Sequence, residues 1–319
     1  MTDPNSNTNA NSITANAPAK ATFANTAELQ ALLETQGYVA GDALGTVLYL
    51  AVTLGKPLLV EGPAGVGKTE LARALAACLG RELIRLQCYE GLDESKALYE
   101  WEYSKQLLYI QILKDKISDS FADAPTIKDA VLMLEKQEDA FFSERFLLAR
   151  PLLKAVQAQD AAVLLIDEID KSDPEFEAFL LEFLSDFAVT IPELGTFTAA
   201  VPPIVILTSN DERDLSDALK RRCLHLFIDY PELELEKRII SIKVPGADEA
   251  LLDMALDFVQ KMRAMELKKS PSISESIDWI RSLLALQITE WNHIEIRSTL
   301  AALLKYQSDV DHVAKALLK

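Results

Sequence analysis

Apolar positions along the chain fall into two alternating kinds of run. Leu58-Leu59-Val60-Glu61, Val163-Leu-Leu-Ile166 and Ile204-Val-Ile-Leu207 are short and continuous. That is the mark of strands buried on both faces. Leu83-Ile84-Arg85-Leu86-Gln87 and Leu224–Ile228 add two more strands. Between them lie helical spacings: Thr26–Gln36, stopped by Gly37 in the manner of a C-cap; Asp42–Leu54, closed by Lys56-Pro57; and Leu71, Leu75 and Leu79, spaced four apart. Thr126–Gln157 reads as helical with at least one break, and Asp214–Arg222 as a short helix. Ser172-Asp-Pro-Glu175 opens another helix, with Ser172 as N-cap, Glu175 closing a capping box and Pro174 in the first turn. Val189–Ile191, the turn Pro192–Gly195 and Thr196–Ala200 read as a hairpin. Tyr99-Glu-Trp-Glu-Tyr103 alternates aromatic and acidic residues, which predicts a strand or hairpin that Leu107–Leu113 continues.

From Glu232 onward the pattern is helical only, interrupted near Val244-Pro-Gly246 and Ser270-Pro271. Strands alternating with helices imply an α/β layer around a mostly parallel sheet. The expected organisation is a disordered tail over residues 1–25, an α/β domain over 26–231 and an all-α domain over 232–319. The tail reading rests on an Asn/Ala/Thr/Ser-rich stretch with Asp3 and Lys20 as its charges. Such a segment buries too little surface to offset its chain entropy. It also lacks the apolar stretch of a signal peptide. The chain shows no internal repeat.

Composition narrows the function. The 319 residues carry 32 Lys+Arg against 49 Asp+Glu, a net charge of −17. The charge is uneven: Pro231–Lys319 is near neutral, and the first 230 residues carry a net −15. A cation-poor chain is ill suited to wrapping nucleic acid or anionic lipid by bulk charge. No apolar run reaches the roughly 18–20 residues needed to span a bilayer. Cys78, Cys88 and Cys223 form no CxxC pair, and His225, His293 and His312 show no ligand spacing. Free thiols in a reducing compartment follow, so the expected location is the cytoplasm, with peripheral membrane association as the alternative.

The chemistry concentrates after the first strand. Gly62-Pro63-Ala64-Gly65-Val66-Gly67-Lys68-Thr69 matches G-x-x-x-x-G-K-[ST], with a strand before it and a helix after. Glycines let a loop turn its N–H groups toward phosphate oxygens, Lys68 adds positive charge for the β/γ-phosphates, and Thr69 offers a hydroxyl to Mg²⁺. The dipole of the following helix favours the same anion. Asp167 and Glu168 end a buried strand, at the sheet's carboxyl edge beside that loop. Asp167 suits the Mg²⁺ shell, and Glu168 suits polarising an attacking water. Asp170 reads as a surface charge. Asn210, after Ile204–Leu207, can bond a water or the γ-phosphate without adding negative charge, although a turn residue has the same sequence mark. Lys220-Arg221-Arg222 ends a helix, where cations pair with the dipole or serve a neighbouring subunit's site. Tyr99, Trp101 and Tyr103 either pack a hairpin against the core or grip a partner.

These elements, in this order and followed by a helical lid, resemble the AAA+ ATPases, of α/β P-loop NTPase fold with a small all-α lid. GPAGVGKTE, LLIDEID, PPIVILTSN and DALKRRC are similar to signatures of the MoxR-type branch. LIRLQCYEGLD, ALYEWEY, ERFLLARPLL and SISESIDW resemble a subgroup linked to maturing the molybdenum–copper site of carbon monoxide dehydrogenase and related molybdenum hydroxylases. The resemblance covers roughly residues 26–319. It implies ATP and Mg²⁺ as cofactors, bound by Gly62 through Glu70. It makes Lys68 and Glu168 catalytic, Thr69 and Asp167 metal-holding, Asn210 the first sensor, and Arg222 with Arg221 the trans-acting arginines of a hexameric ring. It implies client-facing insertions near 93–113 and 189–201, a von Willebrand A domain partner and a client metalloenzyme. The branch often carries a second-sensor arginine where this chain has Ser274-Glu275-Ser276, which leaves Arg281 and Arg297 as substitutes and sets Glu275 against a phosphate. A nucleic-acid motor, a P-loop small-molecule kinase and a non-hydrolysing nucleotide switch are the competing functions.

Overall fold

The structure, a computed structural model, describes residues 23–109, 111–112, 143–288 and 292–318. The sequence of elements begins with α1 (Thr26–Thr35), α2 (Asp42–Leu54), β1 (Leu58–Glu61), α3 (Lys68–Leu79), β2 (Leu83–Gln87), α4 (Glu94–Leu98) and β3 (Tyr99–Trp101). It continues through β4 (Leu147–Ala149), α5 (Pro151–Gln157), β5 (Val163–Asp167), α6 (Pro174–Asp186), β6 (Ala188–Ile191), β7 (Gly195–Thr198), β8 (Ile204–Ser209), α7 (Asp217–Arg222) and β9 (Leu224–Phe227). Five helices complete it: α8 (Leu233–Lys243), α9 (Glu249–Arg263), α10 (Ile273–Ala285), α11 (His293–Leu303) and α12 (Gln307–Leu317).

The five strands expected from the apolar runs form one parallel sheet in the order β2-β5-β8-β1-β9. Its faces separate by strict alternation, because successive side chains of a strand point to opposite sides. Leu58, Val60, Val163, Leu165 and Ile206 pack under α1, α2 and α3. Leu59, Ile84, Leu86, Leu164, Ile166, Val205 and Leu207 pack under α5, α6 and α7. Burying each such aliphatic side chain stabilises by about 1.5–3 kcal/mol. With helices on both faces, ligands of such a sheet meet its carboxyl edge, where β1, β5 and β8 end at Glu61, Asp167 and Ser209. The helices α8–α12 share their own core around Trp279, Phe258, Met262 and Leu300.

Several local expectations change. Residues 103–109 and 111–112 are helical, so the described part of the 107–113 continuation is not a strand, and residues 110 and 113 fall outside the described residues; Tyr99–Trp101 pairs antiparallel with Leu147–Ala149 instead. That second strand lies inside the stretch expected to be helical, 126–157, of which 126–142 fall outside the described residues. Ser172 does not cap α6. Its hydroxyl donates to the Ile169 carbonyl at 2.8 Å, closing a short 3-10 turn, and α6 starts from Asp173 with Pro174 at its first position. The helix expected from Asp214 begins at Asp217, where Ser216 accepts from the Leu219 N–H. The expected tail falls outside the described residues up to 22, but Phe23 is buried against Leu29 and Leu33, and Asn25 caps α1. The hairpin of β6 and β7 is as expected.

Candidate active site

The loop between β1 and α3 holds a conformation that its glycines make possible. Gly62 has φ +145° and lies against the chain after β9: a Cβ there would sit 2.0 Å from the Ile228 carbonyl oxygen. Gly65 has φ +79°, and its Cβ would be 2.2 Å from Ser272 Oγ of the C-terminal helices. Side chains at either position are excluded by both space and backbone. Pro63 and Gly67 are half-buried, Ala64 is exposed and Val66 is buried beneath the loop. Lys68 opens α3 and is 6% exposed. Its Nζ donates to the Gly62 and Pro63 carbonyls, each at 2.7 Å, and to Asn210 Oδ1 at 2.8 Å. Burial lowers its pKa, against the opposing pull of Asp170, Asp167 and Glu168.

Asp167, at the end of β5, is 2% exposed. Its Oδ1 accepts from Thr208 Oγ1 at 2.5 Å and from Thr69 Oγ1 at 3.1 Å. Its Oδ2 accepts from Arg85 Nε at 2.9 Å and Nη2 at 2.6 Å. Glu168 has left-handed backbone, φ 57°, and its N–H donates to Thr208 Oγ1 at 2.9 Å. A non-glycine residue in that region costs about 1–2 kcal/mol. The turn aims the Glu168 carboxylate at the site. There it accepts from Gln87 Nε2 at 2.9 Å, Lys171 Nζ at 2.7 Å and, at 3.4 Å, Asn210 Nδ2.

Asp170 overturns the surface reading. It is 5% exposed, and its Oδ2 accepts from the N–H groups of Asn210 and Glu212, at 3.0 and 3.2 Å. It therefore holds the turn after β8 and sets where Asn210 points. The other Asp170 oxygen, Oδ1, is buried without a hydrogen-bond partner. Cys88 lies beside this cluster. Burial, then the carboxylates of Asp167, Asp170 and Glu168, push its thiol up to about 12, so it stays neutral.

The C-terminal helices close over the loop. Ser274 Oγ donates to the Gly65 carbonyl at 3.3 Å, and Lys243 Nζ donates to Glu70 Oε1 at 3.1 Å. Glu275, expected to face a phosphate, turns back on its own helix: its carboxylate accepts from the Ser272 N–H at 2.9 Å and from the Ser272 hydroxyl, completing a capping box. Burial pushes the Glu275 carboxyl up, but these bonds outweigh it and hold it below its usual range. A cavity of about 580 Å³ separates the loop, Tyr38, α8 and α10, and Arg281 is in its wall beside Lys243. Arg297 is exposed on α11 and is not part of that wall.

The fold thus brings Lys68, Thr69, Asp167, Glu168 and Asn210 together. Arg221 and Arg222 lie exposed in the last turn of α7, outside the hydrogen-bonded cluster. Sequence reasoning passed over Arg85, Gln87 and Thr208 as site residues and misread Asp170 as a surface charge. A signal for the first two existed: they are the alternate polar positions of an otherwise apolar strand. Among the described residues no group of three or more His, Cys, Asp or Glu can cage a metal ion. The Thr69 hydroxyl and the Asp167 carboxylate, 3.1 Å apart at the mouth of the loop, do fit Mg²⁺. That ion takes hard oxygen donors and keeps most of its shell as water and phosphate oxygen.

The chain is similar to several known proteins. An uncharacterized protein of Staphylococcus aureus (strain bovine RF122 / ET3-1) is 27% identical over 240 residues, 73% of this chain and 77% of that one. An uncharacterized protein of Staphylococcus haemolyticus (strain JCSC1435) is 26% identical over the same shares. Among solved structures, a mutant of Thermotoga maritima RuvB aligns over 81% of this chain and 67% of that one, at 17% identity and a TM-score of 0.46. The family model for the AAA domain of the dynein-related subfamily matches residues 57–223, from the start of β1 to the end of α7. The chain belongs to the AAA domain family, dynein-related subfamily.

Proposed function

We infer that this chain hydrolyses ATP and uses the cycle to remodel a client protein, as a MoxR-type AAA+ chaperone. The observation that carries the reading is the convergence of Lys68, Thr69, Asp167, Glu168 and Asn210 at the carboxyl edge of the sheet. The loop from Gly62 to Thr69 turns N–H groups toward phosphate oxygens, with Glu70 behind it tied to the C-terminal helices through Lys243. Lys68 would redirect its N–H hydrogen bonds from the carbonyls of Gly62 and Pro63 to the β/γ-phosphates, keeping its charge. Thr69 and Asp167 hold Mg²⁺, which neutralises charge on the phosphates when bound. Glu168 accepts a proton from the attacking water, and Asn210 orients that water. Arg222 and Arg221, exposed at the end of α7, serve the site of the next subunit in a hexameric ring, where an arginine stabilises transition-state charge.

The client is a metalloenzyme, with the molybdenum–copper site of a carbon monoxide dehydrogenase-like enzyme as the specific reading and a von Willebrand A domain protein as the partner. Support for it comes from the stretches around β2, β3, β4 and α10, quoted above. The net charge of −17 favours a protein client over nucleic acid. No helix among the described residues is long and apolar enough to cross a membrane.

The test is a Glu168→Gln variant. Hydrolysis falls by on the order of 100-fold or more while ATP stays bound. Used as bait in extracts of the native host, with Lys68→Ala as the non-binding control, it retains a von Willebrand A protein or a molybdenum hydroxylase subunit only with ATP. Wild-type hydrolysis by Glu168→Gln removes the assignment of that residue. Capture of DNA-associated proteins, or of nothing beyond the control, removes the chaperone reading.

A further inference from the structure

β2 is an edge strand of the sheet, and its pattern is strictly alternating. Ile84 and Leu86 enter the core on one face. Arg85 and Gln87 stand on the other, in register with Leu165 and Asp167 of β5. The two polar side chains are joined by a hydrogen bond from Arg85 Nη2 to Gln87 Oε1. Each then reaches one acid: Arg85 reaches Asp167 and Gln87 reaches Glu168.

The Arg85 contact is unequal in a telling way. Asp167 is almost fully buried, with a side chain 3% exposed, whereas the side chain of Arg85 is 48% exposed. Thr208 fixes Asp167 Oδ1 at 2.5 Å, so that oxygen is committed to the fold. Both Arg85 nitrogens converge on the other oxygen, Oδ2, which also lies 3.3 Å from Thr69 Oγ1. Thr69 Oγ1 lies 3.1 Å from Oδ1 as well, so the hydroxyl faces both oxygens, and the guanidinium occupies the one that Thr208 leaves open. An arginine is charged at every accessible pH, and an ion pair with one exposed partner is weak and exchangeable. Two cations on one oxygen repel each other, so a divalent ion and the Arg85 guanidinium do not share Asp167 Oδ2 without cost. Arg85 has solvent to move into, and Asp167 does not.

We propose that Arg85 is a positioning residue that competes with the divalent cation for Asp167 Oδ2 and so sets the Mg²⁺ concentration at which nucleotide binds tightly. The idea rests on the reading of Thr69 and Asp167 as the Mg²⁺ holders. Arg85 holds the Asp167 carboxylate in place when the cation is scarce, and yields the oxygen when the cation and phosphate arrive together.

The experiment titrates free Mg²⁺ at fixed fluorescent methylanthraniloyl-ADP and reads the binding signal, in wild-type protein, Arg85→Ala and Arg85→Gln. Folding of each variant is checked by thermal melting, and Arg85→Gln retains a long polar side chain should the alanine variant melt early. Both variants reach half-saturation at a Mg²⁺ concentration about twofold to fivefold lower than wild type. Arg85→Lys, which keeps the charge but loses the two-nitrogen fork, falls between. Binding of the nucleotide in excess EDTA changes less than twofold in all of them. A half-saturation point that is unchanged, or that rises on removing Arg85, overturns the competition. Wild-type protein that binds no nucleotide at any Mg²⁺ concentration instead overturns the active-site reading, and the competition with it.

Discussion

Glu236 with Arg263 in the C-terminal helices, and Lys68 with Asp167 and Asp170 in the α/β layer, are buried to a similar depth. The first cluster is saturated. Arg263 Nη1 and Nη2 meet the two oxygens of Glu236 at 2.6 and 2.8 Å, its Nε donates to the Pro271 carbonyl at 2.9 Å, and Ser276 Oγ donates to Glu236 at 3.2 Å. Charge cancels one for one, and the backbone around it is ordinary helix. The second cluster is not balanced in that way. Lys68 gives its three protons to two carbonyls and an amide oxygen. Three carboxylates stand close together, one holding an unpartnered oxygen and another on a left-handed backbone. Buried charge that satisfies itself is architecture. Buried charge held rigid with incomplete partners is suited to a ligand that completes it.

The largest test of that contrast is Glu236→Ala. Leaving Arg263 buried without its partner lowers stability by about 3–5 kcal/mol in urea unfolding, and the double change Glu236→Leu with Arg263→Met restores most of it. A loss as great from Lys68→Met erases the distinction. That variant is expected to lose ATP affinity by on the order of 100-fold. Its unfolding free energy at neutral pH stays the same or rises by about 1 kcal/mol, because burial already works against the lysine charge. Titration calorimetry and thermal melting on one preparation separate the two effects.

The smallest effect probes where the regions meet. Ser272→Ala removes half of the capping box of α10 and lowers stability by about 1 kcal/mol. The partner Glu275 carries a pH signature. Its folded pKa is depressed from 4.5, so its stabilisation is complete above that value and is lost as the pH falls through the folded one. Acid melting curves of wild type therefore drop more steeply below pH 4.5 than those of Glu275→Gln. Parallel curves show that the cap does not hold the helix.

Much of the candidate site's make-up was legible in the linear order of residues, and particular residues show where that stops. Gly62 through Thr69 is contiguous, and its chemistry follows from strand, loop and helix meeting within a few residues. Asp167 and Glu168 were legible because a buried strand must end at an edge. Asp170, three residues further along, was misread. Only the packing of the turn after β8 onto it, 40 residues away, makes it an internal acceptor. The stretch around 107–113 misled because apolar residues suit strand and helix alike over so short a span.

What the sequence by itself determined is the five strands of the parallel sheet, most of the helices around them and the phosphate loop, since glycine spacing and apolar runs act over one or two turns of chain. The tertiary structure alone decided that Arg85 and Gln87 face the two acids, that Ser272 and Ser274 seat on Gly65, and that Glu275 turns away from the loop. Those contacts join residues 81 to 209 positions apart or hinge on which of two nearby partners a carboxylate takes. Charge and hydrogen bonding act through space, and no periodicity along the chain encodes which distant atoms will share it.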